Sequence, residues 1–237
     1  MQALRLTETW PVDHVVAAVI GPSGSVDVQG NRDQPFRIAS VAKTITTWAC
    51  LVAVEEGIVT LDQPVGQPGC TLRHLLSHAG GYGFEGKEPI ARPERNRIYS
   101  NTGIEMVAGV VSEAAGMPFV DYLDEAVLFP LGMSATLLNG SPAHRMWSTA
   151  VDLTRFVLEV RTPTLISAAT AATARAGVRG RAATGPVRAA NRAVVFSRAA
   201  AVFPAAAVGA EVLHRPVLPP SARGPIRRQA PSSPPRP

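Results

Sequence analysis

The chain has 237 residues, of which 46% are hydrophobic and 17% charged, and its formal net charge is +5. No apolar run reaches the ~18 residues that a membrane-spanning helix needs, so the sequence excludes a typical transmembrane segment. The charge is unevenly divided. Residues 1–166 carry 12 basic and 17 acidic residues, a net −5, whereas residues 167–237 carry 11 and 1, a net +10.

The N-terminal residues 1–11 have neither the basic start nor the continuous apolar stretch of a secretory signal. We therefore expect a cytoplasmic protein without membrane attachment. In that compartment Cys50 and Cys70 are expected to be reduced thiols rather than a disulfide.

Residues 14–30 predict a β-hairpin. Residues 14–20 are a continuous apolar run typical of a buried strand, and residues 21–24 (GPSG) are typical of a turn. Residues 25–30 alternate in polarity, as expected of the returning strand.

Ser40 and Lys43 lie three positions apart in the run FRIASVAKT at residues 36–44. On a helix such side chains are neighbours, with Cβ atoms about 5–6 Å apart. A hydroxyl becomes a nucleophile when a base takes its proton, and a lysine made less basic by burial can act as that base. The spacing also occurs by chance in many helices, so alone it does not decide the function.

Residues 41–56 predict a helix that contains Lys43 and has Ser40 at its start. Apolar side chains cover most of its circumference, and Gly57 stands in the C-cap position. A helix of this kind belongs in the protein interior, where desolvation disfavours the charged form of Lys43.

Cys70, His74 and His78 follow at intervals of four, which on one helix would place three potential zinc ligands on one face. This metal site is an alternative interpretation of the segment.

A second candidate group is the run YSNTG at residues 99–103, which precedes a periodic apolar segment at residues 104–111. A phenol beside an ammonium has its anion favoured, so Tyr99 next to Lys43 can share proton transfer, and the Asn101 amide can orient a substrate carbonyl or Lys43. The alternative is an ordinary turn in which Ser100 and Asn101 cap a helix.

A later helix start is predicted where Ser148 or Thr149 is the cap and Asp152 lies in the first turn.

The composition changes after residue 166. Residues 167–237 contain eleven arginines, twenty alanines and ten prolines, with Glu211 as the single acidic residue. One interpretation is a segment that binds nucleic acid or another polyanion non-specifically through its charge. The other, which the composition favours, is the out-of-frame translation of a GC-rich gene. Disorder is the default expectation there, although residues 193–196 or 208–213 can serve as substitute strands.

Taken together, the motifs resemble the serine β-lactamase and penicillin-binding-protein superfamily, especially its class C-like branch, in which Tyr-x-Asn replaces Ser-Asp-Asn. The resemblance includes the runs GIVTLDQPV (57–65), LLSHAGG (75–81), PLGM (130–133), and GSPAH (140–144) followed by WSTAVDL (147–153), and it covers residues 13–166. It accounts for the segment that contains His74 and His78, so we assign no metal and no organic cofactor.

The resemblance implies an α/β (α+β) fold, in which an antiparallel sheet packs with a helical subdomain. It also implies acyl transfer to a small-molecule ester, amide or β-lactam substrate. Ser40 is then the nucleophile, Lys43 the base, Tyr99 the proton-relay partner and Asn101 the orienting amide.

The family's third motif, Lys-Thr-Gly or His-x-Gly on a late strand, is not found. The run ATG at 183–185 lacks the lysine and is not accepted as a substitute. We therefore expect a truncated β-lactamase-related domain at residues 1–166, incomplete on the sheet side, followed by a basic tail at 167–237. The alternatives to an active enzyme are an inactive truncated family member and a scaffold with a polyanion-binding tail.

Overall fold

The computed structural model describes residues 2–176, 192–197 and 200–202. Its strands are Val15–Ile20 (β1), Val26–Gln29 (β2), Phe36–Arg37 (β3), Leu137–Leu138 (β4), Met146–Ser148 (β5), Arg192–Ser197 (β6) and Ala200–Val202 (β7). Its α-helices are Gln2–Arg5 (α1), Ala42–Glu55 (α2), Leu72–Leu76 (α3), Asn101–Ala115 (α4), Phe119–Leu123 (α5), Ala150–Arg161 (α6) and Ala168–Ala176 (α7). Short helical turns lie at Leu6–Thr9, Ala39–Val41 and Asp124–Leu128.

The predicted hairpin is confirmed, because β1 and β2 pair antiparallel. Side chains of β1 alternate between two apolar clusters. Val16 and Ile20 point into the main core, whereas Ala17 and Val19 pack with Leu4 of α1. Both faces of β1 are therefore covered, which explains why its sequence is continuously apolar rather than alternating.

The larger sheet has the order β2-β1-β6-β7, and every neighbouring pair is antiparallel. Disorder was the default expectation for the tail, but residues 193–196, named as a substitute strand, lie in β6, and residues 192–197 pair along the full length of β1. An unpaired edge of β1 would leave buried backbone N–H and C=O groups without partners, and β6 supplies those partners. The alternative strand at 208–213 lies outside the described residues.

The central helix α2 is buried along most of its length, as its apolar circumference predicted. Ile45, Trp48 and Ala49 are among its core residues. It ends at Glu55, and Gly57 follows in the left-handed conformation with a φ of +74°. A residue with a Cβ is strained there, so glycine favours the end of the helix at this point.

Both helix starts named from the sequence are observed, although Asn101, offered with Ser100 as a capping residue in the alternative interpretation, is the first residue of α4 rather than its cap. Ser100 caps α4, and its side chain accepts a hydrogen bond from the Gly103 N–H at 2.9 Å. Thr149 caps α6 by accepting from the Asp152 N–H at 3.2 Å. These contacts fix where both helices begin.

A smaller sheet of order β3-β5-β4 brings distant parts of the chain together. Strand β3 leads directly into the Ala39–Val41 turn, and the Ile38 N–H donates to the Met146 carbonyl of β5 at 3.0 Å. The loop that precedes β5 is consequently held beside the start of α2.

The structure confirms the mixed helix and antiparallel-sheet fold expected from the sequence. Among the described residues, no single helix is long and apolar enough to cross a membrane. In the same residues, α4 and the segment Phe119–Leu128 meet these criteria only when taken together, and the pair is bent by 90°.

Candidate active site

Ser40 lies in the Ala39–Val41 3₁₀ turn, immediately before α2. The preceding residue, Ala39, has a φ of +45°, a conformation that is costly for a residue with a Cβ. The turn presents the Ser40 side chain to solvent on one side and to Lys43 on the other. The Lys43 amine donates to Ser40 Oγ at 3.2 Å, so the structure brings the predicted pair together.

Lys43 is buried, with 5% of its surface exposed, although Ser40 itself is exposed. Burial of the helix therefore shields the Lys43 amine, as expected, but not the Ser40 hydroxyl. Its nitrogen also donates to the Ala143 carbonyl at 2.9 Å. Burial lowers the pKa of Lys43 to about 8, and the nearby negative charge of Glu105 works in the opposite direction. A substantial fraction of the amine is consequently neutral near physiological pH.

Tyr99 approaches Lys43 with its ring. The lysine nitrogen lies 4.7 Å from the ring centroid, a cation–π arrangement. The ring also contacts His78, at a centroid distance of 4.7 Å, and stacks with Phe84 at 6.2 Å. The structure thus places the predicted Tyr99 beside Lys43, through the face of its ring.

His78 packs against the Tyr99 ring, with the two ring planes tilted by 50°. It is buried, and its Nδ1 accepts a hydrogen bond from the Ser100 N–H at 3.3 Å. Burial lowers the pKa of His78 to about 4, with smaller effects in the same direction from the positive charges of Arg97 and Lys43. His78 is therefore neutral at physiological pH and adds no positive charge next to Lys43.

Asn101, the first residue of α4, is 3% exposed. Its Nδ2 lies 3.5 Å from Glu85 Oε1, and its Oδ1 is buried without a hydrogen-bond partner. No hydrogen bond between Asn101 and Lys43 is observed in the described part of the chain. A buried amide oxygen without a partner is costly, and a substrate group that donates a hydrogen bond would remove that cost.

Two residues of this region were not singled out from the sequence, Glu105 and Ser141. Ser141 Oγ donates to Glu105 Oε1 at 2.5 Å, and Ser141 lies in the loop that supplies the Ala143 carbonyl. The sequence signal for Glu105 was its position one helical turn after Asn101, which places both side chains on the same face of α4.

A sequence profile of the family described as Beta-lactamase matches residues 15–203 of the chain. The chain belongs to the Beta-lactamase family. The matched region extends past residue 166, where the resemblance carried by the motifs ended, and it includes β6 and β7.

Relatives of known structure share the fold. A β-lactamase from Mycobacterium bovis is 42% identical, with a TM-score of 0.71 over 73% of this chain and 65% of that one. The D-amino acid amidase from Ochrobactrum anthropi, crystallised with D-phenylalanine, is 19% identical, with a TM-score of 0.63 over 72% of each chain.

Curated relatives match a smaller part. Penicillin-binding protein 4* of Bacillus subtilis is 28% identical over 43% of this chain and 30% of its own length. The D-alanyl-D-alanine-carboxypeptidase/endopeptidase AmpH of Escherichia coli is 24% identical over 49% of this chain and 40% of its own. The chain spans less than half the length of these two proteins.

The third motif, which the resemblance places on a late strand, was not found in the sequence. In the structure β7 contacts the Ala39–Val41 turn, and its residues are Ala200, Ala201 and Val202. None of these carries an ionisable group. The run at 183–185, discounted from sequence, lies outside the described residues.

The alternative metal site is not supported by the positions of its residues. Helix α3 spans Leu72–Leu76, so Cys70 lies before it and His78 after it, and the two do not share a helical face with His74. His74 Nδ1 bonds to the Thr71 backbone at 3.1 Å, and its Nε2 bonds to Glu94 at 2.8 Å. Both ring nitrogens of His74 are thereby occupied in capping and bracing the helix.

Proposed function

We propose that the chain is a serine hydrolase in which Ser40 forms an acyl-enzyme with an ester, amide or β-lactam substrate. The observation that carries the proposal is the 3.2 Å contact between Lys43 Nζ and Ser40 Oγ. The amine in this contact is made less basic by burial, as a general base at neutral pH requires. Membership of the Beta-lactamase family supports the same chemistry.

In the proposed reaction, the neutral Lys43 amine accepts the hydroxyl proton while Ser40 Oγ forms a bond to the substrate carbonyl carbon. The carbonyl electron pair moves to its oxygen, to which the backbone N–H of Ser40 donates a hydrogen bond. Collapse of this intermediate breaks the bond to the leaving group, which takes the proton from Lys43. Water, deprotonated by the same amine, then releases the acid and restores the Ser40 hydroxyl.

Tyr99 and Asn101 have supporting roles in this proposal. The Tyr99 hydroxyl passes the proton between Lys43 and the leaving group, and the ring contact with the ammonium keeps the phenol close to it. The unpartnered Oδ1 of Asn101 accepts a hydrogen bond from the substrate amide or from the lysine. A Tyr-x-Asn sequence at residues 99–101 favours the class C-like branch.

Labelling with two activity probes tests the proposal. A fluorescent penicillin and a fluorophosphonate are each expected to label the wild-type chain and to fail with Ser40→Ala. Ser23→Ala, which removes an exposed hydroxyl from the hairpin turn, is the matched control and is expected to label normally. Equal labelling of wild type and Ser40→Ala rejects the assignment of the nucleophile, and no labelling of wild type favours the inactive alternative.

A further inference from the structure

The loop at residues 140–143 docks onto α2 directly beside the nucleophile. Two of its backbone carbonyls accept hydrogen bonds from that helix: Ala143 from Lys43 Nζ at 2.9 Å, and Pro142 from Thr46 Oγ1 at 2.8 Å. Ala143 and Thr46 are fully buried. The position of this loop therefore determines the position of the Ala143 carbonyl, to which the Lys43 nitrogen donates.

The other side of the loop is held by α4. Ser141 Oγ donates to Glu105 Oε1 at 2.5 Å and accepts from the Ala143 N–H at 3.2 Å. Pro142, between them, has a fixed φ, so a shift of Ser141 is transmitted to Ala143. A continuous series of contacts consequently joins Glu105 to Lys43 through Ser141 and Ala143.

We propose that Glu105 and Ser141 are positioning residues for the acyl transfer: by fixing the loop at residues 140–143, they keep the Ala143 carbonyl where it holds the Lys43 amine against Ser40. This inference rests on the proposed function. The role differs from that of the four residues named above, because Glu105 and Ser141 act on the Lys43 amine through the loop and take no part in bond formation or proton transfer.

The physical reason is the freedom of a lysine side chain. Four rotatable bonds separate the Lys43 nitrogen from its backbone, and an ammonium has three N–H donors to satisfy. In this structure Ser40 Oγ and the Ala143 carbonyl accept from it. Displacement of that carbonyl leaves Ser40 as the remaining acceptor, and a misplacement of a reacting group by about 1 Å can cost a hundredfold in rate.

The titratable groups around the amine make the proposal testable by titration. His78 and Tyr99 face Lys43 from the segments packed against α2, and His144 follows Ala143 on the loop. Glu105 is the carboxylate whose charge acts on Lys43, and it raises the pKa of the amine against the effect of burial. Glu105→Gln removes this charge but keeps an oxygen that can accept from Ser141.

Four variants separate the contributions: Glu105→Ala, Glu105→Gln, Ser141→Ala and the control Glu113→Ala. Glu113 is an exposed residue of the same helix, with Glu105 two turns earlier. The rate constant of acylation by a fluorescent penicillin is measured across pH. Glu105→Ala and Ser141→Ala are expected to lower this rate constant by about tenfold to a hundredfold. Glu105→Gln keeps the acceptor for Ser141, so its rate constant at high pH is expected to match that of the wild type. In Glu105→Gln the pH midpoint is expected to fall, because the charge that opposes the effect of burial is gone.

A second measurement keeps this inference separate from the proposed function. The chain contains two lysines, Lys43 and Lys87. NMR of ¹³C-labelled lysine therefore follows the Lys43 titration directly, with Lys87 as an internal reference identified by Lys87→Arg. If the wild type is not acylated but the Lys43 midpoint still falls in Glu105→Gln, the proposed function is overturned, and the effect of the Glu105 charge on the amine stands. The positioning role is overturned if the wild type is acylated, Glu105→Ala and Ser141→Ala react as fast as Glu113→Ala, and the Lys43 midpoint does not change in Glu105→Gln.

Discussion

The Lys43 side-chain nitrogen donates a hydrogen bond to the Ala143 carbonyl oxygen at 2.9 Å, although the two residues are 100 positions apart in the sequence. The contact fixes the position of the Lys43 nitrogen, and Ser40 Oγ lies 3.2 Å from this nitrogen. Both the position and the protonation state of this amine have measurable consequences for the acylation of Ser40.

Replacement of Lys43 by methionine removes the base and keeps a long apolar stem in a buried site. We expect acylation of Ser40 to slow by about a hundredfold to ten-thousandfold, the usual contribution of a general base. Stopped-flow or quenched-flow measurement with a fluorescent penicillin gives the rate. Lys87→Met, at an exposed position, is the control and is expected to react as fast as wild type. An unchanged rate in Lys43→Met contradicts the assignment of the base.

The pH dependence of acylation follows from the same amine. Only the neutral form accepts a proton, and the pKa of Lys43 is lowered to about 8 by burial. The rate is therefore expected to fall about tenfold per pH unit below pH 8 and to level off above it. A pH–rate profile between pH 5 and 10 tests this, within a range where the wild-type fold is verified by circular dichroism. A profile that is flat through pH 8 is incompatible with Lys43 as the base.

Tyr99→Phe separates the ring of Tyr99 from its hydroxyl. The ring contacts with Lys43, His78 and Phe84 remain, so the unfolding midpoint is expected to stay close to that of wild type. Acylation is expected to slow by at least about tenfold, because the proposed relay loses its hydroxyl. Tyr99→Leu, which removes the ring as well, is the companion variant. If Tyr99→Phe reacts at the wild-type rate while Tyr99→Leu is slow, the ring rather than the hydroxyl is what the site uses.

Glu159 is the basis of a stability prediction outside the candidate site. Its side chain is 3% exposed, and its oxygens accept from Trp48 Nε1 at 3.1 Å, from the Thr164 N–H and hydroxyl at 2.9 and 2.7 Å, and from the Leu165 N–H at 3.0 Å. Glu159→Ala leaves these donors without their acceptor, and we expect a loss of about 3 kcal/mol or more in the free energy of unfolding. Urea denaturation monitored by circular dichroism measures it. Glu113→Ala is the exposed control, and equal midpoints for the two variants would count against this role of Glu159.

The local parts of the structure could be predicted from the sequence. The spacing of Ser40 and Lys43 is set within one helical turn, and the Ser100 cap depends on a contact three residues away. Periodicity also predicted α2 as a buried helix, because a helix with apolar side chains around most of its circumference is favoured in the protein interior. Each of these features is determined by neighbours in the sequence.

The features that were missed depend on contacts between distant residues. Ser141 donates a hydrogen bond to Glu105, 36 positions away in the sequence, and Trp48 donates one to Glu159, 111 positions away. No local pattern marks such partners, because tertiary packing alone brings them together. Strand β6 is an intermediate case: its arginine- and alanine-rich surroundings indicated disorder as the default, residues 193–196 were named as a substitute strand, and the edge of β1 offers the segment 192–197 backbone partners along its full length.

The most direct test of the account is the position of the covalent adduct. Trypsin cleaves after Arg37 and Lys43, and the resulting peptide of residues 38–43 contains Ser40 as its single hydroxyl group. After incubation with penicillin, we predict that mass spectrometry finds one adduct per chain, located on this peptide and missing from Ser40→Ala. An adduct on any other peptide, or a wild-type chain that acquires none, would contradict the central claim.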